Sequence, residues 1–305
     1  MYLYHFGLRE LPFSLTPNTQ FFMQIAPHVE ALQVLHTALA AGEGFIKVTG
    51  EVGTGKTLLC RKMLNELGNQ YQIAYLPNPC LSADELRQAV ATELGIPQQQ
   101  DQHRLTEAIS HRLLQLAGEG KRVVLLLDEA QALPDESLEA LRLFTNLETE
   151  YAKLLQVVLF GQPELDRRLA DTQFRQLRQR ITFSYQLRGL TLQETCAYVE
   201  HRLAIAGYKG ESLFSWQQMA WLHRASNGIP RLLNVLCHKT LMLAYGAGVQ
   251  GRIDNAMVQA AVADTESAYR LLPWWRENLL MVMSLMMLTL AAAGLGLSFY
   301  LEGSL

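Results

Sequence analysis

The stretch GEVGTGKT (residues 50–57) decides the fold class of this 305-residue chain. It has the spacing G-x-x-x-x-G-K-[ST], and it stands between the β-rich run FIKVTG and the helical run KTLLCRKMLNELG. A glycine-rich turn between a strand and a helix lets successive backbone N–H groups wrap a phosphate, and the helix N-terminus favours the negative charge. The stretch therefore predicts a phosphate-binding loop that follows a strand and opens a helix.

Individual residues of this loop have distinct expected roles. Gly53 and Gly55 let the backbone approach a phosphate without a Cβ in the way. Lys56 is expected to reach the β- and γ-phosphates, and Thr57 is expected to ligate Mg²⁺. The predicted ligands are therefore ATP and Mg²⁺. The predicted nucleotide-binding set is Gly50, Glu51, Val52, Gly53, Thr54, Gly55, Lys56, Thr57 and Leu58.

A second acidic motif completes the prediction of a nucleotide site. The run RVVLLLDEA is a continuous apolar strand that ends in Asp128 and Glu129. Such a strand carries Asp128 to the C-terminal edge of the sheet, where its carboxylate can hold the Mg²⁺ shell. The adjacent Glu129 can orient and polarise an attacking water. This pair indicates hydrolysis rather than passive nucleotide binding.

The order of strands and helices predicts two folded units. Up to Arg188, short β-rich runs alternate with helical runs, which predicts a parallel sheet with helices on both faces. Within this part, Ser82 and Glu85 have the spacing of a helix capping box, and a basic helical stretch runs through Arg167–Arg180. After Arg188, four helical segments separated by Gly or Pro predict a small all-helical second domain.

Composition excludes little but limits the compartment. The net charge of −3 gives no whole-chain signal for nucleic acid. The four cysteines form no C-x-x-C pair, which is typical of reduced thiols in a cytosolic compartment. The N-terminus has no basic and apolar signal-peptide pattern, so the body is expected to stay in the cytoplasm. The eight histidines show no paired metal-ligand spacing, so no metal other than Mg²⁺ is expected.

The C-terminal run has the character of a membrane anchor. Residues 279–301 contain no charged side chain, and 23 helical residues span about 34 Å, enough for a hydrocarbon core of about 30 Å. Trp274 and Trp275 precede the run at the expected interface, and Arg270 and Arg276 lie on the same flank. The run predicts one transmembrane helix with the body in the cytoplasm and the C-terminus outside.

Five motifs in order resemble the AAA+ ATPase family: GEVGTGKT, LLLDEAQ, VVLFGQPEL, LRQRI and NGIPRLLN. Within that family they are similar to the secretion ATPases of the general secretion pathway A type (ExeA-like). The N-terminal segment FGLRELPFSLTPNTQFF of this chain also resembles the opening segment of that group. The resemblance covers about residues 1–265. Together with the apolar C-terminal run, it predicts an α/β P-loop AAA+ domain with a parallel sheet, followed by a small all-α lid domain and one C-terminal transmembrane helix.

The domain boundaries follow from these patterns together. We expect an N-terminal arm at residues 1–27, the P-loop ATPase domain at 28–188, the lid at 189–264, a juxtamembrane connector at 265–278, the transmembrane helix at 279–301 and a tail at 302–305.

The resemblance also implies roles for four further residues. Gln162 matches the sensor-1 position after the fourth strand, and Arg231 matches sensor 2 on the lid. Arg180, with Arg178 as its rival, matches the arginine finger that acts on a neighbouring subunit. An arginine in that position stabilises the charge of the transferring phosphoryl group. The family comparison thus implies a homo-oligomer, a ring or partial ring for which a hexamer is one arrangement.

The implied partners are assembly proteins of the bacterial inner membrane. Many members of the ExeA-like group continue after the membrane span into a peptidoglycan-binding region. Here four residues follow the span, so a peptidoglycan partner is not expected. The shorter architecture resembles the MSHA-type pilus-biogenesis branch of the group, which implies support for a type IV pilus or a type II secretion apparatus.

Two other classes of function stay open. A DNA-handling AAA+ ATPase of the transposition-helper type would need a basic groove, and the concentrated basic patch is Arg167–Arg180. The finger role already accounts for that patch, so a nucleic-acid partner is not expected. A nucleotide-gated oligomeric scaffold with little turnover would use the same residues as a working ATPase.

Overall fold

The computed structural model describes residues 2–15, 21, 23, 25–98, 101–144, 146–148, 153–249 and 251–269, and three positions of the tail, 283, 284 and 287. The strands are β1 Phe45–Gly50, β2 Tyr71–Leu76, β3 Arg122–Leu127, β4 Leu155–Gly161 and β5 Ile181–Leu187. The first helices are α1 Tyr2–His5, α2 Ala26–Ala41, α3 Lys56–Glu66, α4 Ala83–Glu93, α5 Gln102–Gly118 and α6 Asp135–Phe144. The later helices are α7 Pro163–Leu169, α8 Arg175–Arg180, α9 Leu192–Ile205, α10 Trp216–Ser226, α11 Pro230–Gly246 and α12 Asn255–Ala263.

The five strands form one parallel sheet in the order β2-β3-β4-β1-β5. The predicted parallel sheet is therefore confirmed. Strand β4 lies between β1 and β3. The segments that follow these three parallel strands therefore lie side by side at the C-terminal edge of the sheet. Residues that directly follow a strand are thereby placed side by side, which is the usual position of ligand sites in open α/β sheets.

Both faces of the sheet are covered by helices. Side chains alternate between the faces along a strand, so Phe45 and Ile46 enter different cores. Phe45 packs with the buried leucines of α4 to α8, including Leu86 and Leu138. Ile46 packs with residues of α2 and α3, including Leu35. A sheet buried on both faces explains the continuous apolar runs of β3 and β4.

Local sequence signals set the helix ends. Ser82 caps α4, and the Ser82–Glu85 capping box predicted from the sequence is present in both directions. Helix α2 has Pro27 in its first turn, and it ends at Gly42, whose φ of 81° is in the left-handed region. The helices therefore begin and end close to the predicted positions.

The basic stretch of residues 167–180 differs from its prediction. The sequence predicts a continuous helical stretch, whereas the structure breaks it into the end of α7, a 3₁₀ turn at Thr172–Phe174, and α8. The reason is that Phe174 and Leu177 are buried in the core that Phe45 shares with α4 to α8. The chain turns at Asp171 to bury both side chains, because a straight continuation of α7 would place Phe174 on the side opposite the buried Leu165 and Leu169.

The four C-terminal helices share a core with the N-terminal segment. Phe6 and Phe13 pack among the buried residues of α9 to α12. Arg202 of α9 is buried, and its Nε donates to the carbonyl oxygen of Pro12 at 2.5 Å. The same guanidinium donates to the hydroxyl of Tyr198 at 2.8 Å and lies 4.8 Å from the ring centroid of Phe21. A buried charge needs such partners, so Arg202 holds the N-terminal segment against the helical unit.

The predicted transmembrane span lies almost entirely outside the described residues. Of residues 279–301, the structure describes Met283, Ser284 and Met287. In the described part of the chain, no helix combines the length and the apolar character needed to cross a membrane. The main described chain ends at Tyr269, whose N–H donates to the carbonyl oxygen of Ala225 at 2.9 Å. The tail at 302–305 is likewise outside the described residues.

Candidate nucleotide-binding site

The phosphate loop joins β1 directly to α3. Gly50 ends the strand and Lys56 begins the helix. Gly53 and Gly55 have φ values of 87° and 99°, a region that residues with a Cβ rarely adopt. A Cβ on Gly55 would also lie 2.8 Å from Nε2 of His28. Both the backbone conformation and the close neighbour therefore require glycine at this position.

Lys56 is held inside the loop. Its Nζ donates to the carbonyl oxygens of Gly50 at 2.7 Å and Glu51 at 3.0 Å. Burial lowers the pKa of Lys56, and the nearby carboxylate of Glu129 partly offsets this shift. An ammonium group already enclosed by the loop is placed where phosphate oxygens would enter.

Thr57, in the first turn of α3, and Asp128, directly after β3, come together. Asp128 follows β3 and is buried, and its carboxylate is hydrogen-bonded by the Thr57 side chain. Burial raises the pKa of Asp128, while the hydrogen bonds from Thr57 and from the backbone N–H of Glu129 lower it in part. A hydroxyl and a carboxylate oxygen at one point are the donors that Mg²⁺ prefers. These two residues fit the predicted magnesium ligands.

Glu129 lies in a constrained turn after Asp128. Its φ of 53° is positive, which is uncommon for a residue with a long side chain. Its Oε2 accepts hydrogen bonds from Nε2 of Gln131 at 2.5 Å and from Nε2 of Gln162 at 3.1 Å. Burial alone would raise the pKa of Glu129, but these two hydrogen bonds and the charge of Lys56 bring it below its ordinary value. The carboxylate is therefore charged and held in one orientation.

Gln162 reaches Glu129 because of the strand order. It follows β4, the strand that lies between β3 and β1. Its side chain thus stands between Glu129 and the phosphate loop, the place expected of a sensor-1 residue. The structure brings together the sequence-predicted residues Lys56, Glu129 and Gln162 around one cavity.

The lid helix touches the phosphate loop. Helix α11 begins with Pro230 in its first turn, and the N–H of Arg231 donates to the carbonyl oxygen of Gly53 at 3.2 Å. A Cβ on Gly53 would lie 2.5 Å from Cβ of Arg231. The predicted sensor-2 residue therefore lies directly over the loop, with its side chain exposed beside the cavity.

The cavity has a volume of about 440 Å³, within the range of small-molecule sites. Its walls come from the phosphate loop, the lid and the N-terminal segment. Sequence reasoning missed the following lining or positioning residues: His28, Gln131, Tyr198, Arg202 and Asn234. The signal for Gln131 is its place two residues after the acidic pair, whereas the others come from segments remote in sequence.

His28 of α2 contacts the backbone of the phosphate loop. Its Nε2 donates to the carbonyl oxygen of Thr54 at 2.9 Å. Burial lowers the pKa of His28, so the ring is neutral and its Nε2 carries the proton. This contact connects α2 to the turn that precedes Gly55.

The two candidate finger arginines lie far from their own phosphate loop. They belong to α8, which ends where β5 begins, and Ile181 of β5 pairs with Phe45 at the start of β1. The phosphate loop follows the other end of β1, about 16 Å away at 3.3 Å per residue. An action of Arg178 or Arg180 on phosphate therefore requires a neighbouring subunit.

Arg178 and Arg180 differ in their surroundings. Arg180 is half-buried, and its Nη2 donates to Oδ1 of Asn146 at 2.5 Å. Its Nη1 donates to the carbonyl oxygen of Arg142 at 3.4 Å. Arg178 is exposed, with one long hydrogen bond to the carbonyl oxygen of Ala170 at 3.4 Å.

Comparison with known proteins agrees with this geometry. The family model described as an AAA domain matches residues 39–169. General secretion pathway protein A of Aeromonas hydrophila is 43% identical over 276 residues, which cover 88% of this chain and 50% of that protein. The chain thus spans about half the length of this curated relative.

Solved structures with a similar fold are remote in sequence. Cdc6p from Pyrobaculum aerophilum has a TM-score of 0.59 at 18% identity, covering 82% of this chain and 69% of that chain. The Aeropyrum pernix ORC2 protein has a TM-score of 0.56 at 16% identity, covering 82% and 72%. The Thermotoga maritima RuvB branch migration motor has a TM-score of 0.54 at 17% identity, covering 92% and 85%. At these identities the likeness concerns the fold alone.

The parallel sheet, the phosphate loop with its acidic pair and the helical lid define a P-loop protein of the AAA+ class. Within that class, the chain belongs to the ExeA-like group of AAA+ ATPases, since nine-tenths of its length aligns with general secretion pathway protein A.

Proposed function

We propose that this chain binds and hydrolyses ATP in a Mg²⁺-dependent reaction. The observation that carries the proposal is that Lys56, Thr57 and Glu129 line one cavity, with the Asp128 carboxylate hydrogen-bonded by Thr57. These residues supply a phosphate-binding cation, two oxygen ligands and a charged carboxylate, which are the parts that phosphoryl transfer to water requires.

Each protein group has a defined task in this reaction. The loop N–H groups and Lys56 hold the phosphates, and the exposed Arg231 reaches them from the lid. Glu129 holds the attacking water and receives its proton, while Gln162 orients the water or the γ-phosphate. Thr57 and Asp128 would hold Mg²⁺, which would supply positive charge to stabilise the transferring phosphoryl group.

The complete site is proposed to form between subunits. The α8 arginines lie at the sheet edge opposite their own phosphate loop, so they serve a neighbour's loop. A homo-oligomer, a ring or partial ring, would give every loop such a neighbour.

The cellular role is proposed to be assembly at the bacterial inner membrane. The uncharged residues 279–301 would anchor the chain, with the ATPase body in the cytoplasm and the C-terminus in the periplasm. The relative in Aeromonas hydrophila is named for the general secretion pathway. Turnover beside a type IV pilus (MSHA-like) or type II secretion apparatus would support its assembly.

The direct test is turnover by the purified full-length chain. We expect ATP hydrolysis with Mg²⁺ that stops when EDTA removes the metal and that duplex DNA does not accelerate. A matched sample without protein and one with the Lys56→Ala variant control for contaminating ATPase. ATP binding without turnover would instead indicate a nucleotide-gated scaffold, and acceleration by DNA would indicate a DNA-handling ATPase.

Membrane topology is tested by C-terminal reporter fusions. We expect a reporter that works only in the periplasm to be active, and one that works only in the cytoplasm to be inactive. A Leu288→Arg variant is a matched control, since a central charge costs about 2.5–3.5 kcal/mol in membrane insertion. A cytoplasmic C-terminus in the unaltered chain contradicts the single crossing. Full pilus or secretion output from a chain truncated at Trp275 contradicts the anchor's role.

A further inference from the structure

We propose that Gln131 is a positioning residue for ATP hydrolysis, which orients Glu129 and couples it to the end of β4. The proposal rests on the ATPase function proposed above. Gln131 lies in the 3₁₀ turn Ala130–Ala132 that directly follows the acidic pair, and it is half-buried.

The Gln131 side chain makes two hydrogen bonds in opposite directions. Its Nε2 donates to Oε2 of Glu129 at 2.5 Å, and its Oε1 accepts from the backbone N–H of Gln162 at 2.9 Å. The amide therefore connects the carboxylate after β3 to the chain end after β4. Both hydrogen-bonding ends of the amide are used, which determines the orientation of its oxygen and nitrogen.

The backbone of Gln131 is fixed independently of these bonds. Nη1 of Arg168 donates to the Gln131 carbonyl oxygen at 2.8 Å, and Nη2 of Arg168 pairs with Asp135 at 2.5 Å. The left-handed conformation of Glu129 reverses the chain, so that the side chain two residues later folds back onto the carboxylate.

The second donor to Glu129 has a competing task. Gln162 Nε2 also donates to Oε2 of Glu129, at 3.1 Å. In the proposed reaction Gln162 turns its amide toward the water or the γ-phosphate, so this hydrogen bond to Glu129 is given up. The bond from Gln131 does not depend on that movement, because the amide of Gln131 is held by the backbone of Gln162 rather than by its side chain. Gln131 thus keeps the Glu129 carboxylate in one orientation while the Gln162 side chain contacts the water or the γ-phosphate.

The test is the Gln131→Met variant of the full-length chain, which keeps the side-chain length but makes neither bond. We expect kcat to fall about 10- to 100-fold, the scale on which misplacement of a reacting group acts, with the KM for ATP unchanged. The Gln115→Met variant, on the exposed face of α5, is the matched control and should leave both unchanged. In a Glu129→Gln background, Gln131→Met should have no further effect.

Three results would overturn the positioning role. These are an unchanged kcat, a change confined to KM, or a full additional loss in the Glu129→Gln background. If Gln131→Met does not fold, Gln131→Glu replaces the donor with a second carboxylate and should lower kcat with the KM for ATP unchanged. A wild-type chain without turnover would reject the ATPase function itself. The Gln131 contact is then decided by the ¹³C carboxyl signal of Glu129 in glutamate-labelled protein, assigned by its loss in Glu129→Gln, which should shift in Gln131→Met.

Discussion

Replacing Glu129 by Gln is expected to lower ATP turnover by about 10²- to 10⁴-fold while ATP binding persists. The amide has the shape of the carboxylate but cannot take a proton from water. Its oxygen can still accept from Gln131 or Gln162, so the turn should keep its structure. The measurement pairs steady-state hydrolysis with equilibrium binding of a fluorescent ATP analogue.

Unlike Glu129→Gln, which should keep ATP binding, the Lys56→Ala variant should lose ATP binding itself. Lys56 supplies a charge-assisted contact inside the loop, and such hydrogen bonds contribute about 1.5–3 kcal/mol each. Loss of contacts to two phosphates should weaken ATP binding by at least about 10²-fold. For the Glu129→Gln prediction, Glu136→Gln on an exposed turn of α6 is the matched control for the carboxylate-to-amide change.

Wild-type turnover in Glu129→Gln would show that a group other than Glu129 takes the proton from water.

Removing the finger arginine is expected to lower turnover by about 10³-fold without loss of ATP binding, since such a residue acts on the transition state. Arg178 is the first choice because it is exposed, whereas the Arg180 guanidinium is engaged with Asn146 and Arg142 of its own chain. Arg178→Ala should therefore cost more turnover than Arg180→Ala. Arg104→Ala, an exposed position on α5, controls for loss of positive charge.

Mixing variants tests whether the site is shared. Arg178→Ala subunits keep an intact phosphate loop, and Lys56→Ala subunits keep an intact finger. A mixture should regain part of the activity that each lacks alone, and wild-type specific activity should rise with protein concentration. A larger loss in Arg180→Ala would assign the finger to Arg180. Activity independent of concentration, together with full activity in both arginine variants, would contradict a shared site.

Much of the fold could be predicted because its signals are local. Apolar runs of six or seven residues, the Ser82 capping box and Gly42 act within a few positions of the chain. The break at Asp171 could not, because α7 and α8 have similar composition and only the burial of Phe174 and Leu177 separates them. The predicted membrane span at 279–301 stays a prediction, since it lies almost wholly outside the described residues.

The site divides in the same way. The phosphate loop and the Asp128–Glu129 pair are each contiguous, so residue type and spacing alone indicate their chemistry. Gln131 is also close in sequence, but its contact with Glu129 depends on the positive φ of Glu129, which the residue types do not indicate. The burial of Arg202 could not be predicted, because its partner Pro12 lies 190 positions away.

By itself, the sequence determined the chemistry that this chain carries: a phosphate loop, an acidic pair after a strand and a helical unit that follows. Only the tertiary structure decided how these parts meet. The strand order places β4 between β3 and β1, which brings Gln162 to Glu129, and the start of α11 lies on Gly53. The physical reason is that pairing between parallel strands, and packing of the lid on the loop, join segments distant in sequence. Which arrangement has the lowest free energy depends on burial across the whole chain. Local sequence patterns therefore do not indicate which segments meet.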